Sequence, residues 1–152
     1  MSNSVRLDAI DRAILLRLAE DGRLSNTELA RRVGLTPAPC LRRVQRLERE
    51  KVIAGYRAVI DPAAAGQGFE VIVAVEITLS DAQTVIEFER AVASFDEVTE
   101  ARRLFGIPDY YLRVNVAGPA EYEEFLISKL SKLPALSRIV SHQSMKTLKH
   151  TT

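Results

Sequence analysis

Residues Leu35 to Arg49, LTPAPCLRRVQRLER, carry the pattern that decides how the first part of the chain folds. Thr36 is a helix N-cap residue, and Pro37 follows at the first helical position, where a missing N–H costs nothing. Steps of about 100° around the helix axis then sort the residues into two sides. Cys40, Leu41, Val44 and Leu47 gather on an apolar side, while Ala38, Arg42, Gln45, Arg46 and Arg49 gather on the other. Guanidinium forks on the free face of a short helix can grip phosphates or the O6/N7 edge of guanine, and small residues at its start allow close approach. The helix suits the major groove of double-stranded DNA.

The segments before it support that reading. Leu7, Ile10, Ile14, Leu15 and Leu18 recur at helical spacing, and Asp21-Gly22 supplies a stop. Ser25-Asn26-Thr27-Glu28 has the form of a capping box, in which hydroxyl and carboxylate would each satisfy an orphan N–H. Leu29, Ala30 and Val33 give that second helix an inner face, and Gly34 a left-handed terminator. Only Leu35 and Thr36 then remain before the third helix, short enough to force a helix-turn-helix corner. Lys51 to Tyr56 is β-prone around Gly55 and is expected to form a small wing. A basic helix face can also be plain solvated surface, with Glu48 and Glu50 interleaved. Charge distribution favours the nucleic-acid reading: residues 1–57 hold 12 Lys/Arg against 7 Asp/Glu, although the whole chain is only +1.

The rest reads as a second module. Asp61-Pro62 through Gly66-Gln67-Gly68 suggests a hinge after a strand over Tyr56–Ile60. Phe69, Val71, Val73, Val75, Ile77 and Leu79 alternate as in a half-buried strand. Ser80 to Gln83 resembles another capping box, opening a helix with Val85, Phe88, Val92 and Phe95 inside. Val98–Phe105 and Tyr110–Val116 predict a hairpin, Pro119 starts a helix that stops before Pro134, and Leu136 to about Leu148 is a last extended segment. The order βαββαβ is ferredoxin-like, with two helices on one face of an antiparallel sheet. The face bearing Glu70, Ile72, Ala74 and Glu76 stays uncovered, so a dimer through this sheet is expected.

Several classes find no support. No apolar run reaches the roughly 20 residues that span a membrane, and MSNSVRLDAIDR does not resemble a signal peptide. The single cysteine, Cys40, leaves no internal disulfide and fits a reducing cytoplasm; it reads as a core residue rather than a reactive thiol. Cys40, His142 and His150 lack metal-ligand spacing, so no metal is expected. There is no nucleophile elbow, acid–base pair or phosphate loop, and Gly66-Gln67-Gly68 lacks a dinucleotide fingerprint. No catalytic residues and no cofactor are assigned.

Leu7-Asp8…Asp11, Asp21-Gly22-Arg23, Glu28-Leu29-Ala30, Gly34-Leu35-Thr36, Arg43-Val44…Leu47-Glu48 and Ile53-Ala-Gly-Tyr56 together resemble the helix-turn-helix of the Lrp/AsnC transcription regulators of bacteria and archaea. Thr36 to Leu41 is similar to the leucine-responsive branch, and the βαββαβ half to the family's ligand-binding and oligomerisation (RAM) domain. The resemblance implies an α+β protein: a winged helix-turn-helix over 1–55, a strand and hinge over 56–68, and a ferredoxin-like effector and oligomerisation domain over 69–152. It implies a cytoplasmic, sequence-specific regulator of amino-acid metabolism genes that binds promoter or operator DNA, dimerises and assembles into octamers. The alternative is an effector-independent, nucleoid-type protein that wraps DNA. The expected DNA-contacting set is Thr36, Pro37, Ala38, Pro39, Arg42, Arg43, Gln45, Arg46 and Arg49, with Arg43 at the flank as a possible brace. An amino-acid effector would meet Gly106, Asp109 and Tyr110, and less directly Ser141 and His142. A carboxylate such as Asp109 can pair with an α-ammonium, and a glycine lets backbone N–H groups approach an α-carboxylate. The bland alternatives are a tight turn at Gly106–Asp109 and a surface-strand His142. Ile107-Pro108 departs from the family's commoner turn, which has an aspartate directly after the glycine.

Overall fold

The structure, a computed structural model, describes residues 6–78 and 81–148. Leu79, Ser80 and His150 lie outside the described residues. The chain divides into two compact units, one ending at Val59 and the other beginning at Ile60.

The first unit is three helices: α1 (Ala9–Glu20), α2 (Asn26–Arg32) and α3 (Pro37–Arg49). A capping box starts α1. Asp8 Oδ1 accepts the Asp11 N–H at 2.8 Å, and Asp11 Oδ2 accepts the Asp8 N–H at 3.2 Å. At α2 only half of the expected box forms: Ser25 Oγ accepts the Glu28 N–H at 3.2 Å, while the Glu28 carboxylate binds Arg31 and Arg32. Those two guanidiniums hold the Glu28 carboxyl down at about 2. Gly34, at φ +72°, closes the helix in a Schellman turn, with the Leu35 N–H on the Ala30 carbonyl at 2.9 Å. Thr36 caps α3 with its backbone only; its hydroxyl makes no capping bond, and Pro37 stands at the expected first position. The corner is tied by Asn26 Nδ2, which donates to the Pro37 carbonyl at 2.7 Å. Ile14, Leu29, Ala30, Cys40 and Leu47 form the buried core, and burial pushes the Cys40 thiol up.

Two expectations for this unit fail. Residues 51–56 form no wing strand: the Val52 and Ile53 N–H groups both turn back onto the Leu47 carbonyl, at 2.9 and 3.1 Å, and cap α3 instead of pairing. Tyr56–Ile60 is likewise not a strand; it runs exposed with no ladder partner among the described residues.

The second unit carries β1 (Phe69–Ile77), α4 (Ala82–Ala93), β2 (Val98–Arg103), β3 (Tyr110–Val116), α5 (Pro119–Ser128) and β4 (Leu136–Gln143), with a 3-10 turn at Leu130–Lys132. The order across the sheet is β2-β3-β1-β4, every pair antiparallel, as the βαββαβ pattern implies. Asp61–Gly68 is a folded turn rather than an open hinge, with the Gln67 N–H on the Pro62 carbonyl at 2.7 Å. The cap of α4 is Asp81, which accepts the Thr84 N–H at 2.8 Å; Gln83, expected to complete a box with Ser80, reaches Glu87 instead. β4 stops at Gln143, short of the expected Leu148, because its last bond (Ser144 N–H to Glu70 carbonyl, 2.9 Å) brings it to the end of β1.

Alternation along β1 puts Val71, Val73, Val75 and Ile77 under the helices with Phe88, Val92, Phe125 and Leu130. The opposite face carries Ile72, Ala74 and Val140 beside Tyr111, edged by the pairs Arg113–Glu70, Arg113–Glu100 and Arg138–Glu76.

Candidate nucleic-acid interface and ligand-binding loop

The surface of α3 separates the arginines that the sequence groups together. Ala38, Leu41, Arg42, Gln45 and Arg49 are exposed along one stripe, with Thr36 and Pro37 exposed at its start and Pro39 half-buried. Leu41, assigned to the core by its side of the wheel, is 44% exposed and belongs to this stripe. It lies only about 60° from Ala38, at the boundary between the two sides.

Arg43 and Arg46 turn towards α1. Arg43 Nη1 donates to Asp8 Oδ2 at 2.6 Å and to Asp11 Oδ1 at 2.8 Å. Arg46 Nη2 donates to Asp11 Oδ2 at 2.5 Å, and its Nε lies 3.8 Å from Glu50. Asp11 is 1% exposed. Burial alone would raise its carboxyl, but the bonds from Arg43, the Asp8 N–H and Arg46 outweigh it and hold the group ionised below the usual carboxylate range. Asp8 is lowered too, first by the Asp11 N–H and then by Arg43. Arg46 therefore does not project from the free face as the sequence suggests; it braces α3 on α1. Arg42 lies at the boundary, on the rim of an open depression of about 410 Å³ shared with Asp8, Pro39, Arg43 and Arg46. The sequence signal for the brace was Asp8-x-x-Asp11 opposite Arg43-x-x-Arg46, two (i, i+3) pairs of opposite charge.

In the second unit the hairpin between β2 and β3 is pinned at its base. The Leu104 N–H bonds to the Asp109 carbonyl at 2.7 Å, and Asp109 Oδ2 accepts the Ile77 N–H at 2.8 Å. Gly106 sits at φ +129°, where an L side chain would be strained, and Phe105 and Ile107 beside it are fully exposed. The Ile107-Pro108 peptide is cis. Tyr110 is buried with its ring 4.8 Å from Phe88, and its hydroxyl donates to Glu89 at 2.8 Å. Burial and then Glu89 push that phenol up to about 12. Ser141 and His142 diverge: Ser141 pairs opposite Val73 and meets the Tyr122 hydroxyl at 2.5 Å, whereas His142 pairs opposite Ile72 on the open face. The five expected effector residues thus do not line one cavity within a single chain.

The AsnC-type helix-turn-helix domain matches residues 7–48, and the Lrp/AsnC ligand-binding domain matches residues 70–152. The chain belongs to the Lrp/AsnC family of transcriptional regulators. It is 41% identical over 145 residues to the leucine-responsive regulatory protein of Escherichia coli, covering 94% of this chain and 87% of that one. The Haemophilus influenzae protein of the same name is 38% identical over 145 residues, covering 95% and 87%. A Neisseria meningitidis transcriptional regulator, crystallised as a complex with L-Met, superposes with a TM-score of 0.93 at 32% identity, covering 97% of this chain and 95% of that one. An AsnC-family regulator from Agrobacterium tumefaciens gives 0.91 at 34% identity, covering 96% and 95%. This Lrp/AsnC protein is a DNA-binding transcriptional regulator with a C-terminal ligand-binding domain; the family is one of regulators, not enzymes. Among the described residues no helix is long and apolar enough to cross a membrane, and no group of three or more His, Cys, Asp or Glu side chains is placed to hold a metal ion.

Proposed function

We propose that this regulator reads operator DNA with the stripe Ala38, Leu41, Arg42, Gln45 and Arg49, with Thr36, Pro37 and Pro39 at the helix start against the backbone. Arg43 and Arg46 hold the helix at the angle that presents the stripe. The observation that carries this division is the buried Asp11 carboxylate, which binds both bracing arginines and leaves Arg42 and Arg49 to solvent. Ala38 and Leu41 supply apolar contact for thymine methyls, and Arg42, Gln45 and Arg49 supply donors for phosphates and base edges.

The working unit is a homodimer formed through the open sheet face, where Ile72, Ala74 and Val140 make an apolar centre inside a rim of ion pairs. Dimers assemble further, to octamers, and the paired helices read two half-sites. DNA is its target, so it acts in the cytoplasm. An amino acid is the effector, as supported by the L-Met complex of the Neisseria regulator, and its targets are genes of amino-acid metabolism. Because Asp109 and Gly106 stand at the hairpin while Ser141 and His142 face opposite ways, the effector site is completed by a second copy of the chain.

The test is a thermal-shift screen of the twenty amino acids, repeated on Asp109→Asn, which keeps an oxygen for the Ile77 N–H but removes the charge. At least one amino acid should raise the melting temperature and alter retardation of operator DNA, and the effect should vanish in Asp109→Asn. If none does, and operator and random DNA bind within about tenfold of each other, the protein is an architectural DNA-wrapping one.

A further inference from the structure

A recognition helix meets base edges mainly with its N-terminal residues, so the placement of its first turn decides how well it reads sequence. The first turn of α3 lacks the usual fastenings of a helix start. The Thr36 hydroxyl makes no capping bond, and Pro37 and Pro39 carry no N–H. The Cys40 N–H reaches the Thr36 carbonyl at 3.3 Å, a long bond. The short bond at this end comes from another helix: Asn26 Nδ2, the first residue of α2, donates to the Pro37 carbonyl at 2.7 Å.

The same amide is poorly arranged for stability. Asn26 Oδ1 is buried and accepts no hydrogen bond among the described residues. Sealing an acceptor without a donor loses about as much free energy as one neutral hydrogen bond gains, or more. The side chain therefore adds little net stability, and what it does supply is direction. The buried contacts of Leu29, Ala30 and Cys40 hold the helices together without fixing an angle, whereas a hydrogen bond fixes both a distance and an angle.

A second directional tie lies further along α3, where Arg43 and Arg46 bind Asp11 of α1. At 1.5 Å per residue the two ties are about 9–14 Å apart along the helix axis. With the Asn26 bond gone, α3 can tilt about the arginine brace, and a tilt of about 5° moves its start by about 1 Å. Contacts to base edges need placement to within about 0.5 Å, while long arginine side chains follow a phosphate through such a shift.

We infer that Asn26 is a positioning residue for sequence discrimination: it touches no DNA, and its bond to Pro37 aims the start of α3 at the bases. This rests on the reading of α3 as the helix that meets DNA. Loss of the bond weakens binding to the operator and leaves binding to random duplex, which phosphate contacts dominate, nearly as it was.

Retardation of a selected operator and of random duplex by the full-length protein tests this with Asn26→Leu, an apolar residue of nearly the same shape, and with Asn26→Ala. Operator affinity should fall about tenfold or more and random-duplex affinity less than about twofold, with an unchanged salt slope. Asn26→Leu should melt no lower than wild type, because the bond and the sealed acceptor are removed together. If leucine does not fit, Asn26→Ala carries the test. Unchanged operator affinity overturns the inference, as does an equal loss on both duplexes. A loss that accompanies a lowered melting temperature in both variants also overturns it, since the role is then structural. Arg42→Ala/Arg49→Ala separates the two readings. If it loses operator affinity while the Asn26 variants do not, only the positioning role fails; if it also binds as wild type does, the reading of α3 fails and the positioning role with it.

Discussion

Replacing Asp11 with alanine removes the buried carboxylate that binds both bracing arginines of α3, leaving only the exposed Asp8 for Arg43. Two charge-assisted bonds go with it, from Arg43 at 2.8 Å and Arg46 at 2.5 Å, together with the acceptor of the Asp8 N–H. Breaking a fully buried pair typically costs about 3–5 kcal/mol because the surviving charge is stranded. Here the surviving charges are not sealed in: Arg43 keeps 29% of its side chain exposed and Arg46 36%, so both can rehydrate. Discounting for that leaves about 2–3 kcal/mol. Read as local opening, the loss speeds hydrogen–deuterium exchange of α3 amides by roughly 30- to 150-fold. Asp11→Asn keeps the shape and one acceptor and should lose less. The same carboxylate sets an acid dependence. Its native pKa is depressed, so the unfolded chain binds more protons near pH 4, and the stabilisation is complete above about pH 5. It is lost as the pH falls through the native value, where wild type and Asp11→Asn should converge. A change below about threefold in α3 exchange for Asp11→Ala refutes the brace.

Leu41 gives a second prediction. On an operator obtained by in vitro selection, replacing thymine by uracil deletes only methyl groups; wild type should lose about threefold in affinity per contacted methyl, and Leu41→Ala should be indifferent. Equal losses in both proteins remove Leu41 from the interface. Phe88→Ala should destabilise the sheet unit by about 3–5 kcal/mol, because the side chain is fully buried between β1 and the Tyr110 ring. Urea denaturation followed by tyrosine fluorescence measures it, and a loss under about 1 kcal/mol contradicts the packing.

Regular periodicity was legible where one face of an element is buried. The β1 alternation and the α4 stripe of Val85, Phe88 and Val92 place the core correctly, since burial enforces a period of 2 or 3.6. The errors fall where a local rule meets a competing partner. Glu28 has the right spacing for a capping box, yet two adjacent arginines outbid a backbone N–H. The wing residues have β propensity, but strands need a partner, and Val52 and Ile53 find the Leu47 carbonyl first. Arg46 is separated from Arg42 by a long-range contact that no single-helix projection contains, because its partner lies 35 residues away. The hairpin residues were legible as a turn. The inward Tyr110 and the divergence of Ser141 from His142 depend on strand register, which the sequence does not print.

The division of the α3 arginines is tested most directly by one binding measurement. Operator retardation is titrated against salt for wild type and for Arg42→Ala/Arg49→Ala, with α3 amide exchange confirming an intact fold. Two contacts worth about 1–3 kcal/mol each predict an affinity loss of about 30-fold or more, and a salt slope shallower by about one for each phosphate contact removed. Unchanged affinity and slope, with the fold intact, would contradict the assignment of this helix face to DNA.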